Sequence, residues 1–341
     1  SHEAKGILFL RTRQTGIVHA VSSRFGLGLL LLAAQIFFLI GIFQRFKEFL
    51  PHILSVVVLL AVVIVVCILN SQMDPTAKIT WLIVIMLLPV LGVVLFLYTR
   101  SDIGHRVLKK RIDQIVTSSK EDIPQEKGVL ERLSAENGGA AALSRYMRRC
   151  GAHPVYEKTS VTYFPLGEDK FQEMLKQLEA ARHFIFMEYF IVNEGAMWGR
   201  VLEILAKKAA QGVDVRLMYD GSCEFALLPR DYPRRLRKLG IRCKVFSPVT
   251  PFVSTHYNYR DHRKILVIDG HTAFNGGVNL SDEYINQKSR FGHWKDTAVM
   301  LKGEAVKSFT LMFLQMWGID EREQEYARFL SFPSFPAENA K

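Results

Sequence analysis

Between His256 and Tyr284 the chain reads HYNYRDHRKILVIDGHTAFNGGVNLSDEY. Within this stretch His262, Lys264 and Asp269 follow the spacing H-x-K-x4-D, and after six further residues comes Gly276-Gly277-Val278-Asn279. A neutral imidazole is a competent nucleophile near neutral pH. A lysine offers fixed positive charge to phosphoryl oxygens, and an asparagine adds a donor without a charge. Together they suit attack on a phosphodiester. A carboxylate can hold an imidazole in its useful tautomer, and the sequence leaves open whether Asp269 reaches His262. The plainer reading is a core strand between ordinary surface His and Lys residues. The whole pattern argues against that reading.

These groups need positioning. The run KILVI is apolar and rich in β-branched residues, so it reads as a buried strand. Side chains alternate along a strand, which puts His262 and Lys264 on one side at its entrance. Asp269-Gly270 ends the strand as a turn. Gly277 allows close backbone approach next to Asn279.

This stretch resembles the HKD motif of the phospholipase D superfamily, and NYRDHRKILVIDG with GGVNLSDEY is similar to the first such motif of bacterial cardiolipin synthases. The resemblance implies that His262 becomes a phosphohistidine, that Lys264 and Asn279 hold the phosphate, and that Asp269 supports the site. A second likeness lies upstream. MDPTAKITW followed by LLPVLG is similar to the N-terminal membrane module of the same family.

Of the 341 residues 49% are hydrophobic, high for a soluble enzyme, and the excess sits in the first hundred. Residues 25–43, 53–69 and 81–98 form three apolar runs, two to three of which are expected to span a membrane. Pro89 and Gly92 interrupt the third, as membrane helices tolerate when neighbours satisfy the freed groups. Arg11, Arg13 and Arg24 precede the first run, but QRFKEF follows it without a small-x-small cleavage pattern, which favours a retained span over a signal peptide. The Lys and Arg balance leans weakly toward a cytoplasmic catalytic region. The net charge of +11 beside such spans favours anionic lipid over nucleic acid. Four cysteines without C-x-x-C pairing suggest neither a disulfide framework nor a metal site.

Residues 101–150 read as a charged helical connector. In RVLKKRIDQIV, Val107, Leu108, Ile112, Ile115 and Val116 make a narrow apolar stripe, suited equally to anionic headgroups or to packing on the next domain. From 151 to 320 strand and helix patterns alternate: TSVTYF, HFIFMEYFIV, VDVRLMYDG and CKVF as strands, VLEILAKKAA and RDYPRRLRKLG as helices. That alternation predicts an α/β domain, a mixed or largely parallel sheet with helices on both faces. Glu188 lies in an otherwise apolar strand, where a carboxylate is costly unless paired. By resemblance, Glu188 and Tyr189 line the active centre, with an outward-facing Glu188 as the alternative. Asp220-Gly221 resembles a family turn of structural as much as functional character. HWKDT resembles a family strand, with His293 at the pocket border and a structural part for Asp296.

The family joins two HKD motifs across a pseudo-dimer, and this chain has one H-x-K-x4-D. Residues 321–341 are Pro-rich and linker-like. A fragment, or a site completed by a second copy, is therefore expected. The resemblance implies a multi-pass phosphatidyltransferase of the bacterial plasma membrane that converts two phosphatidylglycerols to cardiolipin and glycerol. It needs neither cofactor nor metal. Its partners are anionic phospholipid and a second HKD half in cis or in trans, with no nucleic acid. A hydrolase of the same superfamily, a dimeric single-motif nuclease and a non-catalytic lipid-binding module are the rivals.

Overall fold

The computed structural model describes residues 24–45, 50–100, 103–151, 153–248, 259–290 and 292–333. Arg11 and Arg13, His256 at the head of the motif and the chain beyond Pro333 lie outside the described residues. Contacts divide the chain into two units, one of the described residues up to Arg106, the other of those from Val107 on.

In the first unit the helices are α1 (Arg24–Arg45), α2 (Leu50–Leu69), α3 (Pro75–Leu87) and α4 (Pro89–Arg100). Asp74 caps α3 by accepting from the backbone N–H groups of Thr76 and Ala77, and Pro75 follows in the first turn, where a missing N–H costs nothing. The third expected span, residues 81–98, is not one helix. Pro89 drives the preceding residue out of the helical region, and Leu88 takes φ −134° and ψ 71°. Helices α3 and α4 then pack closely: a Cβ on Gly92 would come 2.8 Å from the Ile85 Cα. Trp81 meets Phe96 edge-on at 5.4 Å over a small core of Ile64, Ile68, Ile85 and Val93. Among the described residues no helix is long and apolar enough to cross a membrane.

The second unit opens with α5 (Ile103–Ser118), which begins at the unit boundary, then α6 (Lys127–Glu136) and α7 (Gly138–Gly151). Of the α5 stripe, Leu108 and Ile115 pack onto the domain core, whereas Val107 is exposed. A seven-stranded mixed sheet follows: β1 (Thr159–Phe164), β2 (Phe184–Tyr189), β3 (Asp214–Asp220), β4 (Arg242–Phe246), β5 (Lys264–Ile268), β6 (Thr272–Gly276) and β7 (Ala298–Gly303). Their spatial order is β1-β7-β6-β5-β2-β3-β4. Strands β2, β3 and β4 are parallel, and the other pairings are antiparallel.

Both faces are covered, as continuous apolar strands require. One face takes α8 (Gly167–Ala180), α9 (Ala196–Ala210) and α11 (Tyr232–Lys238), through Met174, Trp198 and Leu236 among others. Short α10 (Ser222–Ala226) follows β3. The other face takes α12 (Val306–Trp317) and α13 (Tyr326–Leu330), where Phe186 stacks on Phe313 at 4.6 Å. The expected α/β class, with a mixed sheet and helices on both sides, is the one observed.

Candidate active site

Strand β5 antiparallel to β2 sets the site, because the pairing Tyr189↔Lys264 puts both side chains on one face. Just beyond β2 the residues Phe190 and Ile191 act as a hub. The His262 ring packs on Phe190 with centroids 4.6 Å apart, and the Lys264 ammonium lies over the same ring at 5.2 Å. Phe190 donates its N–H to the Arg263 carbonyl (3.1 Å), and Ile191 donates to Asn279 Oδ1 (3.0 Å). His262, Lys264 and Asn279 are thus gathered on two successive residues. His262 is exposed; Lys264 and Asn279 are buried.

Lys264 donates to the His262 carbonyl at 2.6 Å, which fixes the backbone carrying the imidazole. Burial pulls the Lys264 ammonium down to about 8, against the opposing pull of Asp261 and Asp296. Asn279 Nδ2 donates to the Tyr284 hydroxyl at 2.9 Å, which leaves its second N–H for another acceptor. The glycines make room for a carboxylate: a Cβ on Gly277 would collide with Asp296 Oδ1. Gly277→Ala is expected to displace Asp296 and to cost about 1–3 kcal/mol of stability, read as a lowered denaturation midpoint; an unchanged midpoint would show the carboxylate moves freely.

Lys170, on α8, escaped the sequence reading. It is buried, donates to the Tyr189 hydroxyl at 3.2 Å, and burial lowers it to about 7 against the pull of Asp296. It precedes Met174 by four residues and Leu178 by eight, so it stands on the apolar face of its helix. A lysine in that stripe was the available signal. Asp296, expected to be structural, therefore serves two buried cations, while His293 is exposed, 3.9 Å from Glu168.

Glu188 and Asp269 both lie apart from the Lys264 side chain. Glu188 pairs across β2 and β5 with Ile265, so it occupies the face away from Lys264. There it is buried and meets Arg263 at 3.4 Å. Burial, then the neighbouring Asp261 carboxyl, push it well above the usual carboxylate range despite Arg263. It braces the loop that carries His262. Asp269 sits at the opposite end of β5 from Lys264, five residues or roughly 16 Å away. Its carboxylate accepts from the backbone N–H groups of Arg182, His183 and Phe184 at 2.8, 2.7 and 2.8 Å, in a turn with φ +52°.

The loop before Lys264 has a further anchor. Buried Asp220, at the end of β3, accepts from the Asp261 N–H (2.9 Å) and from Arg260 (3.3 Å). The residues after Asn279 are tied as well: Asp282 accepts from the N–H groups of Ala196 and Met197 at the start of α9. A cleft of about 420 Å³ opens beside the loop, lined by Phe246, Tyr259, Arg260, His262 and others. Among the described residues no group of His, Cys, Asp and Glu is arranged to hold a metal ion.

Residues 174–317 match the family described as the cardiolipin synthase, PLD-like domain, and residues 58–100 match the phospholipase D-nuclease N-terminal family. A protein of Streptococcus mutans without an assigned function is 54% identical over 78% of this chain and 58% of its own length. The cardiolipin synthase of Alkalihalophilus pseudofirmus is 35% identical over 77% of this chain and 53% of its own. The chain therefore spans about half the length of the curated relatives it matches. Among solved structures, a phospholipase D family member, Nuc from Salmonella typhimurium, aligns with 47% of this chain and 93% of its own at 18% identity and a TM-score of 0.32.

Proposed function

From a chain whose residues 174–317 carry the PLD-like domain of the cardiolipin synthases, we propose a phosphatidyltransferase that makes cardiolipin and glycerol from two phosphatidylglycerols. The observation that carries this reading is the exposed His262 ring and the buried Lys264 ammonium packed on one phenyl ring. The imidazole attacks phosphorus and the bond to glycerol breaks, giving a phosphohistidine. The terminal hydroxyl of a second phosphatidylglycerol then attacks phosphorus, breaks the P–N bond and gives its proton to the base left when the glycerol alkoxide was protonated. The phosphodiester bond energy is conserved in the covalent step, so no nucleotide is consumed. Lys264 and the free N–H of Asn279 hold the phosphoryl oxygens. Asp269 and Glu188 act at a distance, by fixing β5 and its entry loop.

A second PLD-like half, in cis or in trans, supplies the acid for the leaving alkoxide, a role worth on the order of 10²–10⁴ in rate. The likeness to relatives of which the matching stretch covers only about half supports this. Membrane anchoring through residues 24–100 is supported by the match to the N-terminal family and by the large apolar side chains exposed on α1 and α2, such as Phe37 at 81% and Leu59 at 67%. A multi-pass protein of the bacterial plasma membrane is the arrangement proposed.

The test is product analysis with phosphatidylglycerol, for the chain alone and with a second PLD-like half supplied. Cardiolipin and glycerol in equal amounts are expected from the completed site; phosphatidic acid without cardiolipin would replace the synthase by a hydrolase.

The lowered lysines give a pH signature. Each ammonium loses its charge as pH rises through its value, about 7 for Lys170 and about 8 for Lys264. Lys264 is the lysine that holds the phosphoryl oxygens, so affinity of the free site for glycerophosphoglycerol is nearly full below pH 7 and falls by about tenfold between pH 7 and 9 as that charge is lost. Calorimetric titration reads it, and a flat profile over that range would remove Lys264 from the phosphate site.

A further inference from the structure

Helix α7 has two unlike faces. Its inward face is in use: Ala141 is fully buried, and Arg148 donates to the carbonyls of Ile123 and Lys120 at 2.9 and 3.1 Å. Its outward face carries Leu143, Tyr146 and Met147, which are 60%, 58% and 48% exposed. Positions i, i+3 and i+4 make one stripe along a helix, and exposed Cys150 at i+7 extends it. Nothing in the domain core needs this stripe. At 100° per residue, Arg149 flanks the stripe on the Tyr146 side and is exposed, whereas Arg145 lies nearer the inward face and donates to Ser134 Oγ at 3.4 Å. Residues 138–151 hold three arginines and no acidic residue.

A stripe of Leu, Tyr, Met and Cys long enough for two turns, flanked by Arg149 on a helix without an acidic residue, is complementary to an anionic bilayer surface. Tyrosine favours the boundary between headgroup and acyl chain, with its ring in the apolar layer and its hydroxyl wet. Arginine stems bury along the apolar layer and raise the guanidinium to phosphate level. A protein partner would need acidic groups facing Arg149, whereas phosphatidylglycerol supplies them at every headgroup.

We propose that α7 is a membrane-docking helix: it lays Leu143, Tyr146 and Met147 into the interface of an anionic bilayer, with Arg149 on a lipid phosphate. The docked helix holds the catalytic unit against its lipid substrate, and to that extent the inference rests on the function proposed above.

Cys150 makes the test direct. Cys223 and Cys243 are buried and Cys67 is exposed, so Cys67→Ser leaves position 150 as the thiol to label with a polarity-sensitive fluorophore. The full protein is placed in phosphatidylcholine vesicles with or without phosphatidylglycerol. With phosphatidylglycerol present, the label is expected to shift blue and to be quenched by brominated acyl chains rather than by aqueous iodide. Arg149→Gln should weaken docking on the order of fivefold, Arg145→Gln should leave it unchanged, and Tyr146→Ser with Met147→Ser should abolish the shift. The His262→Asn protein should dock like the parent, so loss of catalysis and loss of docking are read apart. Iodide quenching that is equal in all vesicles overturns the proposal. So does a label shielded from iodide without lipid but crosslinked between two copies, which would assign the stripe to self-association.

Discussion

Replacing His262 by Asn is expected to lower cardiolipin formation by at least about 10⁴-fold while leaving the fold intact. The size of the effect follows from what is removed. Without a nucleophile the covalent route closes, and what remains is the contribution of phosphate binding alone. The fold should survive because the imidazole is exposed and its side chain packs on Phe190 rather than in either core. Two readouts separate chemistry from folding: the thermal midpoint, expected to shift by less than about 2 °C, and an acid-labile phosphorus adduct trapped from phosphatidylglycerol, expected in the parent and absent in the variant. Retained turnover in His262→Asn would remove this imidazole from the mechanism. The complementary change, Lys264→Met, keeps the stem over Phe190 and removes the charge. It should raise KM and lower kcat together, since the phosphoryl oxygens need the cation in both ground and transition states.

Asp269→Ala is expected to destabilise the domain by about 3–5 kcal/mol, with the thermal midpoint falling by roughly 10 °C. Three backbone N–H groups, of Arg182, His183 and Phe184, give their hydrogens to this one carboxylate, and the Phe184 group is buried. Leaving such donors without an acceptor costs far more than the net worth of the bonds they made. Asp269→Asn is the discriminating companion. Its carbonyl oxygen still accepts, and asparagine tolerates the left-handed turn that φ +52° imposes. It should cost only about 1–2 kcal/mol and keep near-normal turnover per folded molecule. A fully stable but inactive Asp269→Asn protein would instead return this aspartate to the chemistry, against its position at the far end of β5.

Glu188 belongs with Asp269 as a residue whose type suggested a reacting group and whose place assigns it to support. Its partner Asp261 adjoins His262 in the chain, and its other partner, Arg263, follows it. Glu188 on β2 thus faces the residues on either side of the nucleophile, and its ion pair with Arg263 ties their loop to the sheet.

What the residue order alone determined was local. Period-two alternation and β-branched runs placed β1 at TSVTYF and began β5 at Lys264, because strand propensity and burial act over a few neighbours. The H-x-K and Gly-Gly-x-Asn spacings named the three groups that gather at Phe190 and Ile191, because the entrance of one strand and a hairpin's return are short-range events. Three things were decided only by tertiary structure. The register Tyr189↔Lys264 chose which face Glu188 occupies, and a register is a relation between strands 75 residues apart. The turn at Pro89 became a helix pair rather than one long span, because Gly92 admits Ile85 so closely. And Lys170 and Asp296, more than a hundred residues apart, became parts of one charged cluster only when α8 closed over the sheet, since a charge acquires its chemistry from the distance and dryness of its neighbours, which no single stretch of chain contains.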